Sequence, residues 1–187
     1  MKRTLIPISL VAVLLMLAAP KATRADTATL SVTPVAGPIS VGDTFNVEVD
    51  IAGASELFAH QFDLDYNASL LSFDSVVEGA FLPDAGTTFF FAIDNGGGSV
   101  TVIDSLIGPL TGANGDGSLA LFSFTALAGG TSPLNLANIT LVSSNTNSSA
   151  NNGSVTVGTP GVPEPGTLSL LVSAILSLAA FAWFKRA

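Results

Sequence analysis

Phe58-Ala59-His60-Gln61-Phe62-Asp63-Leu64-Asp65-Tyr66 alternates apolar and polar side chains without a break. Successive side chains of a β-strand leave on opposite faces, so this period of two describes a strand with one buried and one wet face. Phe58, His60, Phe62, Leu64 and Tyr66 fall on the inward face, and Ala59, Gln61, Asp63 and Asp65 on the outward one. The segment before it reads the same way, with Phe45, Val47, Val49 and Ile51 against Asn46, Glu48 and Asp50. Working outward, further strands are expected at Leu30–Val35, Leu70–Val77, Thr87–Ile93, Ser99–Ile103, Ser118–Leu127, Pro133–Leu141 and Ser154–Val157. Turn signals separate them, among them Gly37-Pro38, Asp94-Asn95-Gly96-Gly97-Gly98 and Asn114-Gly115-Asp116-Gly117. Glycine supplies the positive φ that such turns demand, and Asn and Asp tolerate it. No long helix-period segment interrupts the series. About nine short strands at this spacing predict an all-β fold, a nine-stranded antiparallel jelly-roll sandwich over residues 26–158.

The charge distribution narrows the chemistry. All six basic residues sit near the ends, at Lys2, Arg3, Lys21, Arg24, Lys185 and Arg186, while all fourteen acids lie between Asp26 and Glu164. The domain therefore has no Lys or Arg to neutralise phosphate, which excludes nucleic acid as a partner. Zero cysteines exclude disulfides, thiolate metal sites and cysteine nucleophiles. A single histidine, His60, leaves little room for a Ser-His-Asp set or a histidine-based metal site. A non-catalytic domain is expected.

The two ends read as targeting segments. Met1-Lys2-Arg3 precedes an uncharged run from Leu5 to Ala19, and Thr23-Arg24-Ala25 offers small residues at the positions signal peptidase reads. Residues 1–25 are thus expected to be a signal peptide. At the other end, residues 159–166 form a linker that contains Pro163-Glu164-Pro165, and residues 167–187 carry an apolar run closed by Lys185-Arg186. The run from Thr167 to Phe184 covers ~27 Å as a helix, enough for a membrane hydrocarbon core. The basic pair would stay inside and leave the domain outside. This order of elements resembles the PEP-CTERM sorting signal. The resemblance implies recognition by an exosortase, an inner-membrane-anchored intermediate, and final residence at the cell surface or in the extracellular matrix.

Four blocks of the domain together resemble a cohesin domain: Val41-Gly42-Asp43-Thr44-Phe45-Asn46-Val47, the stretch from Phe58 to Leu71, the stretch from Gly115 to Phe124, and Gly130-Thr131-Ser132-Pro133-Leu134. One departure is Asn67-Ala68, where the family favours Asp-Pro. The resemblance implies a jelly-roll sandwich, related in architecture to carbohydrate-binding modules, acting through protein contacts with a dockerin-like partner. The alternative is adhesion to extracellular polysaccharide.

Several residues stand out against this frame. Asp63 and Asp65 leave the same face of one strand ~7 Å apart. With Asp94 and Asp116, in oxygen-rich turns, they are the residues offered to Ca²⁺, since softer metals want ligands this chain lacks. They serve equally as a solvated outer face and as turn formers. His60 is expected among apolar neighbours. Phe89-Phe90-Phe91 must turn at least one ring away from the core if the strand is regular, so it is either covered on both sides or part of a partner or sugar surface. Tyr66 is the only tyrosine, and the only tryptophan, Trp183, lies in the tail, which leaves few rings for stacking sugars.

Overall fold

The computed structural model describes residues 27–34, 37–108 and 111–159. Residues 1–25, Pro163-Glu164-Pro165 and the apolar segment 167–187 lie outside the described residues. The strands are β1 (Thr27–Pro34), β2 (Ile39–Ser40), β3 (Thr44–Leu57), β4 (Ala59–Tyr66), β5 (Leu71–Glu78), β6 (Thr88–Gly96), β7 (Ser99–Leu106), β8 (Ala113–Ala126), β9 (Gly130–Val142), β10 (Asn147–Asn151) and β11 (Gly153–Gly158). No helix occurs among the described residues. One sheet has the order β10-β1-β3-β8-β5 and the other β2-β11-β9-β4-β7-β6.

All nine expected strands are found, together with two more, β2 and β10. The additions qualify the antiparallel expectation, because β10 pairs in parallel with β1 and β2 in parallel with β11. Their physical origin explains why the sequence hides them. β2 has two residues, and every residue of β10 is exposed, so neither shows alternation against a core. They close sheet edges through backbone hydrogen bonds.

The alternation of β4 holds as read: His60, Phe62 and Leu64 are buried, and Ala59, Gln61, Asp63 and Asp65 are outward. Phe58 departs from it. It precedes the strand and is 36% exposed. Phe45, Val47, Val49 and Ile51 of β3 are buried as expected. The two sheets meet on aromatic rings. Phe62 of β4 and Phe122 of β8 have centroids 6.3 Å apart, and Tyr66 of β4 meets Phe124 of β8 edge-on at 5.0 Å. Burying each such ring stabilises the fold by about 1.5–3 kcal/mol, so these cross-sheet contacts hold the layers in register.

One glycine fixes the edge of the second sheet. Gly98, in the β6–β7 turn, has φ +92°, and its carbonyl accepts the Tyr66 N–H at 2.8 Å. A Cβ there would sit 2.2 Å from the Tyr66 carbonyl oxygen. The hairpin therefore packs directly onto the end of β4, which only glycine permits.

Candidate docking face

The outward side of β9-β4-β7-β6 is built in rows by strand register. The first row sets Val142, Ala59, Ser105 and Phe89 abreast, and the second sets Thr140, Gln61, Ile103 and Phe91. In the third, Asp63, Thr101 and Ile93 align, and in the fourth, Asn135, Asp65 and Ser99. The face thus grades from apolar at the Val142 end to polar at the Asp65 end.

At the apolar end, Phe89 is 58% exposed and Phe91 is 48% exposed, with Ile107 and Val142 also exposed, and Ile93 carries the exposed strip along β6 into the third row. Phe90, between the two outward rings, packs against the core. The run of three phenylalanines thus keeps its alternation, and its outward rings are uncovered. A shallow depression of about 160 Å³ lies among Ala59, Gln61, Ile103, Thr140 and Val142. Contiguous exposed hydrocarbon of this kind marks contact surfaces.

At the polar end a hydrogen-bond ladder crosses four strands. Asn95 Nδ2 of β6 donates to Thr101 Oγ1 of β7 at 2.8 Å, and Thr101 Oγ1 donates to Asp63 Oδ1 of β4 at 2.6 Å. Asn138 Nδ2 of β9 donates to Asp63 Oδ2 at 2.6 Å. Asn138 reaches it from a left-handed backbone, φ +49°, where the β4–β9 register shifts between Gln61 and Asp63. Asparagine tolerates that conformation better than most residues. Both oxygens of Asp63 are thereby fixed, and the carboxylate is held as an oriented acceptor.

The four carboxylates offered to calcium are not gathered into one cage. Asp63 and Asp65 share β4, Asp94 Oδ1 accepts the Gly96 N–H at 2.9 Å, and Asp116, on β8 of the other sheet, accepts the Gly53 N–H at 2.7 Å. No group of three or more His, Asp or Glu among the described residues could hold a metal ion. The Tyr66 ring packs against Phe124 on one side and is half-buried, beside an open depression that Asp65 and Asn135 also line. Burial, then the charge of Asp94, raises the pKa of the Tyr66 hydroxyl, while a bond to the Phe73 backbone opposes the shift.

The family described as Cohesin domain matches residues 28–159. The fold is similar to that of a non-cellulosomal cohesin from Archaeoglobus fulgidus, at 20% identity and TM-score 0.56, over 70% of this chain and 91% of that one. It is similar to the sixth cohesin of Acetivibrio cellulolyticus scaffoldin B, solved in complex with a mutant dockerin, at 20% identity and TM-score 0.59, covering 70% and 99%. A cohesin module from a Clostridium perfringens family 33 glycoside hydrolase aligns at 16% identity and TM-score 0.54, covering 70% and 98%. No curated protein matches the chain at the level of sequence.

Proposed function

The chain belongs to the cohesin domain family, and on that premise we propose that it is a non-catalytic docking module whose outward β9-β4-β7-β6 face receives a dockerin-like partner. The observation that carries this reading is the uncovered apolar strip of Phe89, Phe91 and Ile93 on β6, lying beside the oriented carboxylate of Asp63. Burying apolar area drives association, and the fixed acceptors beside it select orientation. Charge specifies the partner further. The domain contains no Lys or Arg of its own, so a cation on the partner meets Asp63 or Asp65 without competition. The fitting partner thus presents an apolar surface flanked by Lys or Arg.

Export and surface retention complete the proposal, supported by the sequence at the two ends. Signal peptidase would act after Ala25, and an exosortase would act at Pro163-Glu164-Pro165, leaving the module at the cell surface or in its matrix.

The test is capture by the full chain of dockerin-bearing proteins from its own host's secretome, followed by calorimetric titration with the recovered protein. A one-to-one complex weakened by Phe91→Glu is the expected result. Retention on protein-free host polysaccharide, with no protein partner and no effect of Phe91→Glu, would overturn it in favour of a polysaccharide adhesin.

A further inference from the structure

One end of the core carries three ionisable groups. His60 of β4 and Asp104 of β7 are register partners, 2% and 1% exposed, with Nε2 and Oδ2 3.8 Å apart. That distance is too long for a hydrogen bond. Glu78, the last residue of β5, belongs to the opposite sheet; its Oε1 is buried without a partner, and its charge is the one that acts on Asp104. The neighbours in register are apolar: Ala120 beside Glu78, Phe90 beside Asp104 and Leu141 beside His60. Phe62 stacks on the imidazole with centroids 5.6 Å apart. Among the described residues, no charged group besides Glu78 shifts Asp104, and none shifts His60. Both ring nitrogens of His60, Asp104 Oδ1 and Glu78 Oε1 are buried without a partner, a concentration of unmet polar atoms that native cores rarely keep without a purpose.

Two carboxyls can hydrogen-bond to each other only if one of them holds a proton. We propose that a single proton shared between the facing carboxyls of Asp104 and Glu78, backed by an uncharged His60, latches the two sheets together along the β5–β7 side, and that its loss above neutral pH loosens that side of the sandwich. This inference concerns the core and stands independently of what docks on the outward face.

The direction of each titration agrees with the geometry. Burial first, then the charge of Glu78 and its hydrogen bond, pushes the Asp104 carboxyl up to about 7. Burial alone brings His60 down to about 4. A raised carboxyl contributes stability that is fully present below its unfolded pKa of 3.8 and is lost as pH climbs through the folded value. A depressed imidazole does the reverse. Its contribution is present above the unfolded value of 6.5 and is lost as pH falls through about 4. Between these limits the unfolded chain carries one proton on His60 and the folded chain one on Asp104, so the two opposed dependences cancel. Folding moves a proton from imidazole to carboxyl, and the cluster conceals its own titration until pH passes neutrality.

Carboxyl ¹³C and imidazole NMR titrations of the full chain test this, together with melting curves across pH. Asp104 is expected to titrate near neutrality, His60 to stay uncharged at pH 5, and Glu78→Gln to shift the Asp104 titration downward. The melting temperature of His60→Phe should fall steadily from pH 5 to pH 7, where that of the parent is level. An Asp104 already ionised at pH 5 in the parent, or one whose titration ignores Glu78→Gln, would overturn the latch. Should Glu78→Gln fail to fold, the parent's Asp104 and His60 titrations decide the matter alone.

Discussion

The two outward faces of this sandwich are made by the same alternation and finished differently. On the β10-β1-β3-β8-β5 sheet the outward positions are mostly hydroxyls, amides and acids, several bonded to one another, with Val77 of β5 an exposed aliphatic exception. Thr44 Oγ1 lies 3.3 Å from Thr125 Oγ1, Thr125 Oγ1 donates to Asp74 Oδ2 at 2.8 Å, and Thr29 Oγ1 lies 2.9 Å from Ser149 Oγ. On the β2-β11-β9-β4-β7-β6 sheet, Phe89, Phe91, Ile93 and Val142 hold equivalent outward positions with nothing over them. The core requires neither set, since its packing is complete in the inward residues of both sheets. A face satisfied by its own hydrogen bonds with water as the remaining partner is finished. A face that leaves two phenyl rings in water is finished only by another molecule, and that asymmetry points to one sheet and not the other.

The comparison presumes that both faces rest on one core, and the largest predicted effect tests that presumption. Phe122 of β8 is fully buried and touches Phe62 across the sheets. Phe122→Ala should cost about 3–5 kcal/mol, the usual loss for emptying a buried phenyl site. In urea, tryptophan-free probes of both sheets, such as amide NMR signals of β3 and β4, should melt at one lowered midpoint. Separate midpoints for the two sheets would show that the faces are carried by independent bodies, and the contrast between them would lose its meaning.

A pair of matched substitutions asks the functional question directly. Phe91→Glu on the apolar face should weaken a captured dockerin-like partner by about 2 kcal/mol or more, roughly thirtyfold, because central aromatic anchors dominate interface energies. Its effect on folding should stay within about 0.5 kcal/mol, as is usual for an exposed side chain. Asn46→Glu, exposed on the other sheet, adds the same charge and should leave partner binding unchanged. Equal losses from both would place binding in the net charge of the domain and erase the distinction between the faces.

How far these faces were legible in the sequence follows from what sets each feature. The inward sets of β3 and β4 were readable because a period of two is a local property. The exposure of Phe89 and Phe91 was not readable. Alternation shows that they share a side, and only the position of β6 at the edge of a sheet, with nothing above it, decides that the side is bare. The Asp63 ladder depends on a register shift that brings Asn138 into reach, and no local pattern announces a shift. The latch was hidden more deeply. His60 was expected among apolar neighbours, but the strand that carries Asp104 was expected to stop at Ile103, and Glu78 arrives from the other sheet. Cross-sheet meetings are set by the stacking of layers, which one-dimensional spacing does not encode.

The smallest predicted effect probes the polar face in its own terms. Asp50 lies on the outward side of β3 two residues from Glu48. Its carboxyl pKa is raised by partial burial first and by the Glu48 charge second, while a hydrogen bond from Thr33 Oγ1 at 3.3 Å opposes the shift. A raised carboxyl contributes most to stability below its unfolded pKa of 3.8 and loses that contribution as pH rises through the folded value. Ionised Asp50 is thus a small liability at neutral pH on a face that has no cation to relieve it. Asp50→Asn removes the charge and keeps an acceptor for Thr33. It should stabilise the fold by about 0.2–0.5 kcal/mol at pH 7, the scale of a like-charge contact on a wet sheet surface, and by nothing at pH 3, where the parent carboxyl is already protonated. A gain that persists unchanged at pH 3 would mean that the polar face is limited by packing at this position, and that its hydrogen-bonded finish leaves no electrostatic strain to relieve.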